Sequence, residues 1–132
     1  MLRVIQPDGW PRPAGYANGV AAAGRVICVA GQIGWDPVTE RLESGEFTGQ
    51  ARRALANVVT ILRAGGAEPR HVVRLTWFVT DRQEYLSARR ELGRAYREVF
   101  GEHYPAMSVL FVSGLLEERA LVEIEATAVV PA

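Results

Sequence analysis

Gln50 to Ala67 reads QARRALANVVTILRAGGA, and a few residues on, His71 to Asp81 reads HVVRLTWFVTD. These neighbouring stretches decide the fold, because the first has the period of a helix and the second the composition of a strand. Ala51, Leu55, Val58 and Leu62 recur at spacings of four, three and four, and Ala54 and Ile61 widen the stripe. A helix is therefore expected over residues 47–64, ended by Gly65-Gly66, since glycine enters left-handed conformations freely. His71 to Thr80 is rich in β-branched and aromatic residues, which suit a pleated, half-buried surface.

Working outward toward the C-terminus, Asp81 reads as the N-cap of a second helix running to about Phe100, with Glu84 completing a capping-box pattern. Its apolar stripe is Tyr85, Ala88, Leu92, Tyr96 and Val99. Ser108–Val112 and Leu121–Val130 read as strands. In the latter the even positions Val122, Ile124, Ala126, Ala128 and Val130 are all apolar, whereas Glu123, Glu125 and Thr127 alternate with them. Such a strand packs one face under helices and leaves the other solvated or at an interface. Toward the N-terminus, Gly24-Arg25 separates the runs Val20–Ala22 and Val26–Ala30, which predicts a hairpin. Gly31–Leu42 reads as a loop. Pro7, Pro11 and Pro13 predict an extended surface arm over residues 1–15, because proline fixes φ and removes a donor. The order is β-β-α-β-α-β-β, an α+β domain whose two helices share one face of a mixed sheet.

With 132 residues, the chain has the size of one domain, and a single domain over 1–132 is expected. Its hydrophobic fraction of 48% argues against disorder. The formal net charge is zero, so no global field favours nucleic acid or an anionic membrane. No apolar run approaches the roughly 20 residues of a membrane helix, and the stretch MLRVIQPDGW has no apolar core of signal-peptide length. A soluble cytoplasmic protein is expected. The one cysteine, Cys28, lies in an apolar run and reads as a small buried hydrophobe. His71 and His103 show no metal-ligand spacing, so no metal is expected.

Six segments, GYANGV (15–20), VAGQIGWDP (29–37), QARRALANVVTILRAGGA (50–67), VVRLTWFVTD (72–81), YPAMSV (104–109) and VEIEATAVV (122–130), stand in an order and spacing that resemble the RidA/YjgF family. The resemblance implies a chorismate-mutase-like fold that closes a homotrimeric barrel, with a small-molecule cleft between neighbouring subunits. It also implies hydrolysis of reactive enamines or imines to a keto compound and ammonia, without metal or cofactor. Glu123 matches the glutamate placed by the attacking water, Tyr16 the pocket tyrosine, and Gly31 a glycine that lets backbone approach the ligand.

Other positions depart from the pattern. Met107 stands where active members carry the arginine that grips the substrate carboxylate, Val109 replaces a cysteine and Ala30 a serine. Arg89 is read in place of an asparagine of the second helix; at the edge of the apolar stripe it either supplies a cationic anchor from another wall of the cleft, or extends to solvent or to a neighbouring subunit. Trp35, beside the cleft loop, would narrow it for a flat substrate; one branch of the family acts on 2-aminomuconate, a flat conjugated di-acid. These departures predict an enamine/imine deaminase with altered specificity. A non-catalytic ligand-binding or regulatory trimer is the alternative, since the loss at Met107 removes the usual anchor. Arg90, Arg94 and Arg97 are expected to form a solvated face with Glu91 and Glu98.

Overall fold

A computed structural model of the chain describes residues 2–132. Its centre is a four-stranded sheet made of β3 (Arg25–Gln32), β6 (Val72–Val79), β7 (Ala106–Phe111) and β8 (Val122–Val130), in the order β3-β8-β6-β7. β8 runs antiparallel to both neighbours, and β6 and β7 are parallel, so the sheet is mixed. Two small ribbons lie outside it: β1 (Arg3–Ile5) with β2 (Gly19–Ala21), and β4 (Trp35–Asp36) with β5 (Arg41–Leu42).

The first helix, α1 (Phe47–Ala64), carries the expected stripe inward: Ala51, Ala54, Leu55, Val58 and Leu62 are wholly buried. Ile61 is the exception, 37% exposed, and Val59 is buried in its stead. Beyond the helix, Gly66 takes φ 84° while Gly66 N donates to Arg63 O and Ala67 N to Leu62 O. Those two bonds satisfy carbonyls that the helix end would otherwise leave open. A single 3-10 turn, Pro69–His71, leads into β6 and is closed by a reciprocal cap between Glu68 and His71.

The alternation of β8 is obeyed. Val122, Ile124, Ala126 and Ala128 are buried beneath α1, whereas Glu125 is exposed and Glu123 and Thr127 are half-buried on the opposite face.

Four expectations need correction. The predicted hairpin does not form: β2 pairs with β1 and not with β3, whose partner is β8. Pairing with a central strand satisfies the whole length of β3, which the three-residue β2 cannot do. The proline arm accordingly begins with a strand, and Gln6 then folds it back by donating to Trp10 O and Pro11 O and accepting from Asn18. The second helix is divided at Ala88 into α2 (Arg82–Ser87) and α3 (Arg89–Phe100). Ser87 Oγ donates back to Gln83 O and Glu84 O, a local competition that distorts helices. Asp81 does cap α2, accepting from Glu84 N at 3.0 Å, but only this half of the capping box forms among the described residues. Finally, Cys28 is exposed, because the alternation of β3 turns Val29 into the core and Cys28 away from it.

Two buried amides on α1 fix the chain around the sheet. Gln50 donates to Ser44 O and Arg119 O and accepts from Leu121 N at 2.7 Å, which sets the entry to β8. Asn57 donates to Ile33 O and to Trp35 O at 2.9 Å, and Arg53 also reaches Trp35 O, so the loop after β3 is tied to α1. Replacing Gln50 by leucine would take away the partner of the half-buried Leu121 N and Ser44 O and of Arg119 O. Gln50→Leu is expected to lower stability by about 3 kcal/mol in urea unfolding, without changing the fold.

Candidate functional site

The predicted site residues separate into two groups by the geometry of one sheet. In β7, Met107 pairs with Leu75 and Val109 with Trp77, and both of these partners face the helices. Met107 and Val109 therefore face the helices too, at the outer edge of the core. Glu123 pairs with Phe78 and alternates with the buried Val122 and Ile124, so it faces the opposite way.

On the helix side lies a cavity of about 420 Å³. Met107 and Val109 floor it, α3 lines it with Arg89, Gly93, Tyr96 and Arg97, and the chain at Ala14-Gly15 covers part of its rim. That rim is held by a parallel bridge between Ala17 and Ala106, with Ala17 N donating to Pro105 O at 3.0 Å. Arg89 thus reaches the same cavity as Met107. Tyr16, 43% exposed, stands next to the rim but does not line the cavity.

On the open face, β3 carries a bulge against β8. Val29 pairs with Ala126 and Gln32 with Ile124, so Ala30 and Gly31 share the place opposite Glu125. A bulge re-aims the chain at a sheet edge. Here it brings Gly31 under the Glu123 carboxylate: a Cβ on Gly31 would collide with Glu123 Oε2 and Cδ. The space left by the missing side chain is filled by the carboxylate of the same chain. Trp35 belongs to neither group; it sits in the β4–β5 ribbon, with its carbonyl held by Asn57.

Several cavity residues were not singled out from the sequence. Trp77, Tyr85 and Tyr104 complete its aromatic wall, and Tyr96 stacks on Tyr104 with ring centroids 5.3 Å apart and planes 13° from parallel. Arg97, expected on a solvated face, lines the cavity as well. The signal was present: Arg89, Gly93 and Arg97 fall at spacings of four, hence on one line along a helix. The histidines serve the backbone. His71 Nδ1 accepts from Glu68 N, and His103 Nε2 lies 2.7 Å from Val72 O.

The α+β domain thus carries a cationic, aromatic cavity on one face of its sheet and a seated carboxylate on the other. Comparison with known proteins gives the family. The chain belongs to the family described as Endoribonuclease L-PSP, the RidA/YjgF proteins, whose sequence model matches residues 11–130. A RutC family protein of Pyrococcus horikoshii is 34% identical over 128 residues, covering 97% of this chain and 98% of the relative. The human 2-iminobutanoate/2-iminopropanoate deaminase is 31% identical over 127 residues, covering 96% and 89%. Among solved structures, a Rid family protein of unknown function from Yersinia pestis superposes with a TM-score of 0.82 at 31% identity, covering 98% of each chain. Escherichia coli TdcF with bound serine superposes with a TM-score of 0.69 at 30% identity, covering 97% and 98%.

One group in the cavity wall titrates far from its ordinary range. Burial, and then the neighbouring Tyr104, push the Tyr96 phenol well above the usual tyrosine value of 10.0. Its hydroxyl donates to His103 O, a bond that only the neutral form can make. Because the folded value is raised, this stabilisation is complete below pH 10 and is lost as pH rises above it. Alkaline titration followed by absorbance should show one tyrosine that ionises only as the protein unfolds. That step should vanish in Tyr96→Phe, which is expected to cost about 1 kcal/mol at neutral pH through the lost hydrogen bond.

Proposed function

We propose that this chain is a cofactor-independent enamine/imine deaminase, acting as a cytoplasmic homotrimer with its reactive clefts between neighbouring copies. The reading is supported by family membership and by relatives named as 2-iminobutanoate/2-iminopropanoate deaminases. The observation that carries it is the seating of the Glu123 carboxylate over Gly31. A carboxylate on the open face and guanidinium groups on the helix face cannot meet within one chain. A cleft holding both draws the carboxylate from one copy and the cations from the next.

In that cleft the chemistry is simple. Glu123 accepts a proton from a water molecule as the water oxygen bonds to the imine carbon, and the C=N π pair moves to nitrogen. An enamine first takes a proton on carbon and loses one from nitrogen to become the imine. After water adds, nitrogen takes one proton to give the neutral carbinolamine and a second to become ammonium; the C–N bond then breaks, ammonia leaves, and the hydroxyl proton is lost to give the ketone. Each proton returns to the carboxylate or to water, so no outside reductant or oxidant is needed. Met107 offers no charge to a carboxylate, and Arg89 takes that role from α3, which shifts specificity away from the smallest imino acids.

The test is ammonia release from imines generated in the assay, 2-iminopropanoate, 2-iminobutanoate and larger imino acids, compared with the spontaneous rate. Glu123→Gln is expected to lower the catalysed rate by about 100-fold or more while leaving the fold intact. Gly31→Ala, which displaces the flexible end of Glu123, should do nearly as much. Release no faster than the spontaneous rate from every imine, with the assembly intact, would replace this reading by that of a non-catalytic binding trimer.

A further inference from the structure

The cavity beside α3 carries more positive charge than its sequence context explains. Arg89 and Arg97 both line it, and no acidic residue does. The ion pairs among the described residues join Arg52 to Glu98, Arg53 to Asp36 and Glu43, Arg63 to Glu68, and Arg119 to Glu117. Arg89 and Arg97 take part in none of them. They are separated by two helical turns with Gly93 midway, and a Cβ on Gly93 would stand 3.4 Å from Arg97 Nη1. The Arg97 guanidinium therefore leans back toward the N-terminus of the helix, as long helical side chains do, and occupies the gap that Gly93 leaves. Both guanidinium groups are exposed and without an acidic partner among the described residues, so each is free to receive an anion at the cavity mouth.

The rest of the wall specifies what carries the anion. Tyr85, Tyr104 and Met107 are half-buried along it, and Trp77 and Tyr96 lie almost wholly buried behind them. Trp77 is 4% exposed and its indole N–H is buried with no hydrogen-bond partner. A two- or three-carbon acid would leave the half-buried rings of this wall uncovered, whereas an aryl side chain would cover them.

We infer that Arg97 joins Arg89 in a two-guanidinium anchor, and that this cavity selects carboxylic acids bearing an aryl side chain. The inference rests on the proposed function for its consequence, since it makes the substrate the imine of an aryl amino acid and the product an aryl 2-oxo acid. Binding itself requires no turnover. Arg97 contributes as a binding residue, and Gly93 as the seat that lets its guanidinium fold back.

Isothermal titration of the intact protein with 3-phenylpropanoate, 3-phenylpropanamide and butanoate tests it. The aryl acid is expected to bind at least about tenfold more tightly than the uncharged amide and than the short acid. Arg97→Ala should weaken 3-phenylpropanoate by about tenfold and leave the amide nearly unchanged, with Arg97→Lys falling between because it lacks the planar fork. Arg97 is exposed, so an unchanged unfolding midpoint will verify that these variants fold. Equal binding of acid and amide, equal binding of aryl and short acids, or full preference retained in Arg97→Ala would each overturn the inference. Tight, Arg97-dependent binding without ammonia release would uphold it while sinking the deaminase reading. Release of ammonia from 2-iminobutanoate with no aryl preference would do the reverse.

Discussion

The burial of one face of β8 beneath α1 is the contact on which the other features depend. β8 is paired on both edges, by β3 and by β6, and its residues Val122, Ile124, Ala126 and Ala128 lie against the apolar stripe of α1. A period of two leaves no freedom in this arrangement: once those positions are inside, Glu123 and Glu125 must be outside. A slip of a single residue would put both carboxylates into the core, at a cost far beyond what a domain of this size can sustain. The register of β8 is thus protected by the same residues that carry the candidate chemistry. Gln50 adds a polar check, because Leu121 N finds its acceptor only when the strand enters at the right height.

The bulge in β3 is a local exception that the rest of the sheet supports. Two residues stand where the ladder has room for one, and the glycine among them makes space for a charged side chain from the neighbouring strand. The loop that follows is drawn to α1 by Asn57 and Arg53. A polar amide on the buried side of a helix is costly unless every bond is made. Here it links the segment after β3 to the well-buried face of α1.

Much of this was legible in the residues. The helix over 47–64 and its glycine stop, the strand that follows and the two-faced last strand were all written in periodicity, because one face of each is buried and the pattern records which. The partnership of β3 was not legible, since pairing between distant strands leaves no mark in either one alone, and a glycine between two apolar runs looks the same whether or not a hairpin closes. Ser87 bending the chain back on itself, and Cys28 turning outward, are outcomes of single hydrogen bonds and of strand phase. Of the candidate residues, Arg89 and Met107 line one cavity, and Trp77 and Tyr104 meet them there through the parallel pairing of β6 with β7 and the approach of α3. Arg97 is exposed, as its charge led one to expect, and its spacing from Arg89 also sets it along the same line at the cavity mouth.

The division of the candidate residues between two faces of a sheet has a consequence for inheritance and mixture. Under the proposed assembly, each cleft borrows its carboxylate from one subunit and its cations from another. A chain damaged at Glu123 still offers an intact aromatic cavity to its neighbour, and a chain damaged at Arg97 still offers its carboxylate. Two such defective chains, co-assembled, would rebuild some complete clefts that neither can form alone, so damage on opposite faces would complement and damage on the same face would not.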